Sequence, residues 1–161
     1  MAGTLFWIDA VQVFIAAEDH PPPHVHAFHT GEGWVARFRF SFLSDVSGLY
    51  RFRRRGRKPT DGTLNRVAEA IMENLAACRE SWWNTHGSRH EINLANRRVE
   101  VRPIEGGDRF LAKVALNPSK AAALIVSAAY DPGNGKVALT LDDGRVLVLT
   151  AGRHIEEAKE W

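Results

Sequence analysis

An aspartate and three histidines crowd a proline run in Asp19-His20-Pro21-Pro22-Pro23-His24-Val25-His26. Imidazole exchanges protons near neutral pH and is the commonest side-chain metal ligand. Proline fixes φ at about −65°, so the run favours an extended polyproline II path. That path sets the spacing between His20 and His24. His24 and His26 are two residues apart, so on a strand both project from one face. A site built from His20, His24 and His26 would leave one position of a tetrahedral zinc open, as catalytic zinc sites do. Iron is another ion that suits imidazole ligands. Asp19 could accept the outer N–H of one imidazole and orient it. Without metal, His24 or His26 could act as a general acid or base. A structural reading stands beside these: the histidines satisfy backbone groups in a proline-rich turn, and the prolines cover a sheet edge. His29 has the opposite parity to His24 and His26 on the same strand. Cys78 falls on a helical apolar stripe and reads as core, not as a nucleophile.

A second cluster is basic. Arg51-Phe52-Arg53-Arg54-Arg55-Gly56-Arg57-Lys58 holds six cations in eight positions. Guanidinium forks match phosphates, so Arg51, Arg53, Arg54, Arg55, Arg57 and Lys58 read as a contact for RNA or DNA. The alternative is a solvated loop between strand and helix. The chain as a whole is balanced, at a formal +2. Residues 1–87 carry 10 Lys and Arg against 9 Asp and Glu, and residues 88–161 carry 11 against 10. Any electrostatic preference must therefore come from local clustering.

The elements that must position these residues can be read from periodicity. Val11 to Ala16 is short and apolar, a strand leading straight into the histidine segment. Trp34 to Phe42 alternates: Trp34, Ala36, Phe38, Phe40 and Phe42 point one way, and Arg37 and Arg39 the other. Gly48 to Phe52 reads as a further short strand. Thr60-Asp61-Gly62 signals a helix start. Leu64, Val67, Ala68, Ile71, Leu75, Cys78 and Trp82 then follow on one stripe, which predicts a single amphipathic helix over 61–84. Gly87 reads as a turn former beyond it. Trp83, about 100° round the helix from Trp82, could stack on a base or a partner. Arg98 to Arg102 and Phe110 to Leu116 read as short strands. Ala122 to Tyr130, Val137 to Leu141 and Val146 to Thr150 read as a β-meander, joined by turns at Asp131-Pro132-Gly133-Asn134-Gly135 and Asp142-Asp143-Gly144. Ile155 to Trp161 is helix-permissive.

The histidine segment resembles an uncharacterised bacterial family, number 4160 among the domains of unknown function. That family opens with a strand, runs through Asp-His-x-Pro-Pro-His-x-His and closes on a helix with tryptophan near its end. Here those features are Val11 to Ala16, Asp19 to His26, and Trp82-Trp83. The resemblance covers roughly residues 5–87. The tail is similar, more loosely, to family 2442, a meander ending in Asp-Gly-Arg. The matching residues are Ala129-Tyr130-Asp131, Val137 to Leu141 and Asp143-Gly144-Arg145. The two families are often encoded side by side in arrangements proposed to be toxin–antitoxin pairs, so the resemblance implies that context for this chain.

The expected fold class is α+β: an antiparallel sheet packed by one long helix in a domain over 1–87, then a small β-meander domain over 88–161. Hydrophobic residues make up 45% of the chain, enough to bury a core. One cysteine permits no intrachain disulfide. No run approaches the roughly 20 apolar residues of a membrane span, and the N-terminus lacks a signal-peptide pattern. The expected location is the cytoplasm, with no membrane partner. Three functional readings stay open. One is a toxin–antitoxin-related protein that binds nucleic acid through the basic loop and carries a histidine-based active site. Another is a non-catalytic interaction module with a protein partner or a second copy of itself. The third is a small metalloprotein holding zinc or iron.

Overall fold

The computed structural model describes residues 3–43, 47–53, 59–90, 98–103, 110–115, 123–150 and 155–157. The chain is α+β and divides into two units, Met1–Ser41 with Asp45–His90, and Phe42–Ser44 with Glu91–Trp161.

In the first unit, five strands pair antiparallel in chain order. They are β1 (Thr4–Ile8), β2 (Val11–Phe14), β3 (His24–His29), β4 (Val35–Phe40) and β5 (Ser47–Arg53). The alternation in β4 is realised. Ala36, Phe38 and Phe40 are buried, while Arg37 and Arg39 are half-buried. Val11, Val13, Val25 and Ala27 supply the remaining buried apolar positions of β2 and β3. Strand β1 went unread in the sequence. It is joined to β2 by the tight Asp9-Ala10 connection, where Asp9 takes a positive φ of 51°. Aspartate tolerates that region better than most side chains.

The expected single helix is two, α1 (Asp61–Glu73) and α2 (Leu75–His90). Thr60 caps α1 by accepting the Thr63 N–H at 3.1 Å. The break falls at Asn74. Its side-chain amide donates to the Ala70 carbonyl at 2.7 Å, and its backbone N–H donates to Ile71 at 3.0 Å. Asparagine competes in this way for backbone groups that would continue a helix. The apolar stripe keeps its phase across the break, so Val67, Ile71, Leu75, Cys78 and Trp82 are all buried. Truncating Ile71 to alanine would cost about 2–5 kcal/mol. Helix α2 also runs past Trp83, with Gly87 inside it rather than in a turn. The Trp83 ring lies over Gly87, and a Cβ there would meet it at 2.7 Å.

The second unit is a six-stranded sheet in the order β10-β9-β8-β6-β7-β11. Its strands are β6 (Arg98–Pro103), β7 (Phe110–Ala115), β8 (Ala123–Asp131), β9 (Lys136–Leu141), β10 (Val146–Thr150) and β11 (Ile155–Glu157). The expected tail strands β8, β9 and β10 are thus half of a larger sheet. Pairing is antiparallel except between β11 and β7. Of the helix-permissive stretch from Ile155 to Trp161, Ile155–Glu157 form this strand on the edge of β7, and the rest lies outside the described residues. Gly135 and Gly144 hold φ of 70° and 86° in the turns between β8, β9 and β10, a region that glycine enters freely. Among the described residues, no helix is long and apolar enough to cross a membrane.

Candidate functional site

The histidine segment folds into a buried cluster of one carboxylate and two imidazoles. After β2 the chain turns, with the Asp19 N–H donating to the Ala16 carbonyl at 3.2 Å. In return the Ala16 N–H donates to Asp19 Oδ2 at 2.9 Å. The turn thus fixes the carboxylate at the mouth of β3. The Pro21–Pro22 peptide is cis, where the sequence alone suggests a continuous polyproline II path. His24 opens β3, and its Nδ1 donates to the Pro22 carbonyl at 2.8 Å. A carbonyl can only accept, so this bond assigns the proton to Nδ1.

His26 projects from the same strand face. Its Nε2 lies 2.8 Å and 2.9 Å from the two oxygens of Asp19. Its ring stacks on Phe14, with centroids 5.1 Å apart and planes 13° from parallel. His24 Nε2 lies 3.4 Å from Asp19 Oδ1. Ligand atoms of Asp19, His24 and His26 all fall within 4.8 Å of one another. All three residues are buried. Burial opposes ionisation of Asp19. The neighbouring His24 and His26 imidazoles and the Ala16 N–H outweigh it and hold the carboxyl well below the usual carboxylate range.

His20, expected as a ligand, is exposed and stands outside this group. Asp19, expected to orient an imidazole from outside the ligand set, occupies the third place. The structure therefore brings together His24 and His26 but not His20. His29 serves its own turn, where Nδ1 accepts the N–H groups of Gly31 and Glu32 at 3.1 Å and 2.8 Å.

Helix α2 supports the cluster with Trp82, expected as core, and with His86 and Arg89, which the sequence reading does not name. Trp82 packs on the His24 ring, with centroids 5.6 Å apart. His86 is fully buried, and its Nε2 donates to the Ala16 carbonyl at 2.9 Å. Arg89 donates to the Ala17 carbonyl at 2.9 Å and to His86 Nδ1 at 3.2 Å. His86 and Arg89 thus hold the turn whose amide holds Asp19. The signal existed, because His86 continues the stripe four residues beyond Trp82. Ending the helix near Trp83 hid it.

Cys78 is buried, and desolvation pushes its thiol up to about 12. It lies in the core, as its place on the stripe suggests. Of the basic run, Arg51 and Arg53 lie in β5, opposite Arg37 and Val35 in register. Arg54, Arg55, Arg57 and Lys58 lie outside the described residues.

No family model matches the chain, and neither does any curated protein or solved structure.

Proposed function

We propose that this chain is a small metalloprotein in which Asp19, His24 and His26 hold one divalent ion, zinc or iron. A single observation carries the reading. His24 Nδ1 is committed to the Pro22 carbonyl, so a neutral His24 turns its Nε2 lone pair toward the Asp19 carboxylate, 3.4 Å away. Two acceptors at that range repel unless a cation lies between them. With ligand bonds of about 2.0–2.1 Å, tetrahedral ligand atoms sit about 3.3 Å apart, close to the 3.4 Å between His24 Nε2 and Asp19 Oδ1; the three ligand atoms spread over up to 4.8 Å, so the side chains would close on the ion. His26 Nε2 is nearer, at hydrogen-bond range. There the ion would replace a proton, and the ring would open slightly.

The donor set is two imidazoles and one carboxylate. That set suits zinc with open positions or the iron of two-histidine-one-carboxylate sites. The anchor of His24 on Pro22, and that of the whole turn on His86, are the outer hydrogen bonds that usually accompany metal ligands. Water in an open position would be acidified by the ion, which makes hydrolysis the reaction class most accessible to zinc. The other cation able to sit between His24 and Asp19 is a proton. In that case Asp19 would orient the two histidines without metal.

Cobalt(II) separates the two. Titrated into the full-length chain stripped of metal, it should produce visible bands that saturate at a single equivalent. His24→Ala and His26→Ala should remove them. A chain that gives no bands, or variants that keep them, would overturn the metal reading.

A further inference from the structure

We infer that Arg37 and Arg39 make the Asp19–His24–His26 site a receptor for a phosphate group; this rests on the metal reading and names the ligand class of the same site. The register of β3 against β4 places His26 directly opposite Arg37 and His24 directly opposite Arg39. Residues opposed in an antiparallel pair share a face of the sheet, with Cβ atoms about 4.5–5.5 Å apart. Each histidine of the site therefore has an arginine directly opposite it on the neighbouring strand. Both arginines are half-buried, so their charge is less screened than on open surface.

Charge decides the ligand. A divalent ion with the single carboxylate of Asp19 leaves one positive charge, and two adjacent guanidiniums raise the surplus further. Anionic oxygens are the natural fourth ligand of such a centre. Phosphate fits it in two ways: one oxygen can bind the ion while a guanidinium takes two others side by side. A guanidinium has five N–H donors, so an arginine engaged within the protein on one edge can still offer the other. Strand β5 sets Arg51 opposite Arg37 in register. The phosphate could belong to a free phosphate or nucleotide, or to a nucleic-acid backbone.

The test is isothermal titration of the zinc-loaded full-length chain with inorganic phosphate, with adenosine monophosphate and with a short single-stranded oligonucleotide. Wild type should bind phosphate. Arg37→Gln should weaken binding at least roughly tenfold, and Arg37→Lys, which keeps the charge but loses the fork, by less. Stronger binding of the oligonucleotide with a steep salt dependence would assign the nucleic-acid source. Equal or tighter binding of the small phosphates would assign the free ligand. Wild type that ignores phosphate, or Arg37→Gln that binds it unchanged, would overturn the inference. Loss of zinc and phosphate together in both variants would also overturn it, because Arg37 would then be supporting the site's fold. If zinc itself fails to bind wild type, the metal reading falls. Phosphate titration of the metal-free chain then decides for the arginines alone by the same comparison.

Discussion

Replacing Asp19 with asparagine keeps the size of the side chain and removes its charge. The carboxylate takes the Ala16 N–H at 2.9 Å and lies 2.8 Å and 2.9 Å from His26 Nε2 and 3.4 Å from His24 Nε2. Asparagine offers one oxygen where the carboxylate offers two, and its NH2 must face a donor. Hydrogen bonds to charged groups contribute about 1.5–3 kcal/mol each, and breaking a buried charged pair costs about 3–5 kcal/mol. The expected loss is about 3 kcal/mol. At roughly 2–4 °C per kcal/mol for a chain of this length, the midpoint should fall by about 6–12 °C. Trp34 and Trp82 are fully buried in the first unit, so tryptophan fluorescence during urea or thermal unfolding follows the unit that matters. Zinc at a hundredfold excess over its dissociation constant should stabilise wild type by a further ~2.7 kcal/mol and Asp19→Asn by far less. A metal-free variant within about 0.5 kcal/mol of wild type, the range of ordinary surface substitutions, would refute the idea that Asp19 organises the cluster.

Gly87→Ala should lower the thermal midpoint, because the new Cβ meets the Trp83 ring at 2.7 Å and overpacking costs about 1–3 kcal/mol. In a Trp83→Ala background the same change should instead stabilise by about 1 kcal/mol, since alanine is the better helix former. Cys78 should resist iodoacetamide at pH 8 until the chain unfolds, and rapid labelling of the native protein would contradict its placement. Its thiol is pushed up from 9.0 to about 12. The native state therefore keeps the proton where the unfolded chain loses it, so stability is full below pH 9 and declines as pH rises toward 12. Denaturant midpoints measured at increasing alkaline pH will show that slope or its absence. His86→Ala should weaken metal binding roughly 10–100-fold through the released turn at Ala16, with a metal-binding isotherm as the check.

Much of this was legible in the chain, for physical reasons that differ by element. The alternation read from Trp34 to Phe42 specifies a strand because burial on one face has a period of two; the strand itself runs over Val35–Phe40, and Ser41, Phe42 and Leu43 beyond it are all buried. The stripe from Val67 to Trp82 specifies a helical face even though Asn74 breaks the helix, since the burial pattern outlasts the local hydrogen-bond competition. Parity placed His24 and His26 on one side of β3. The exchange of His20 for Asp19 was not legible, because it depends on a tight turn at Ala16–Asp19 and on the path of the proline run. Residue spacing encodes neither. The stripe marks His86 as buried, but the partners of His86 and Arg89 lie about seventy residues away in sequence, and no local pattern names them. The pairing of the histidines with Arg37 and Arg39 is a matter of register, which the single strands do not reveal.

Metal content tests the central claim most directly. The full-length chain would be loaded separately with zinc and with iron(II), dialysed against metal-free buffer and analysed by inductively coupled plasma mass spectrometry beside His24→Ala and Asp19→Asn. The account predicts one retained ion per wild-type chain for at least one of the two metals, and loss of that ion from both variants. A wild-type chain that retains neither metal, or variants that retain as much as wild type, would contradict it.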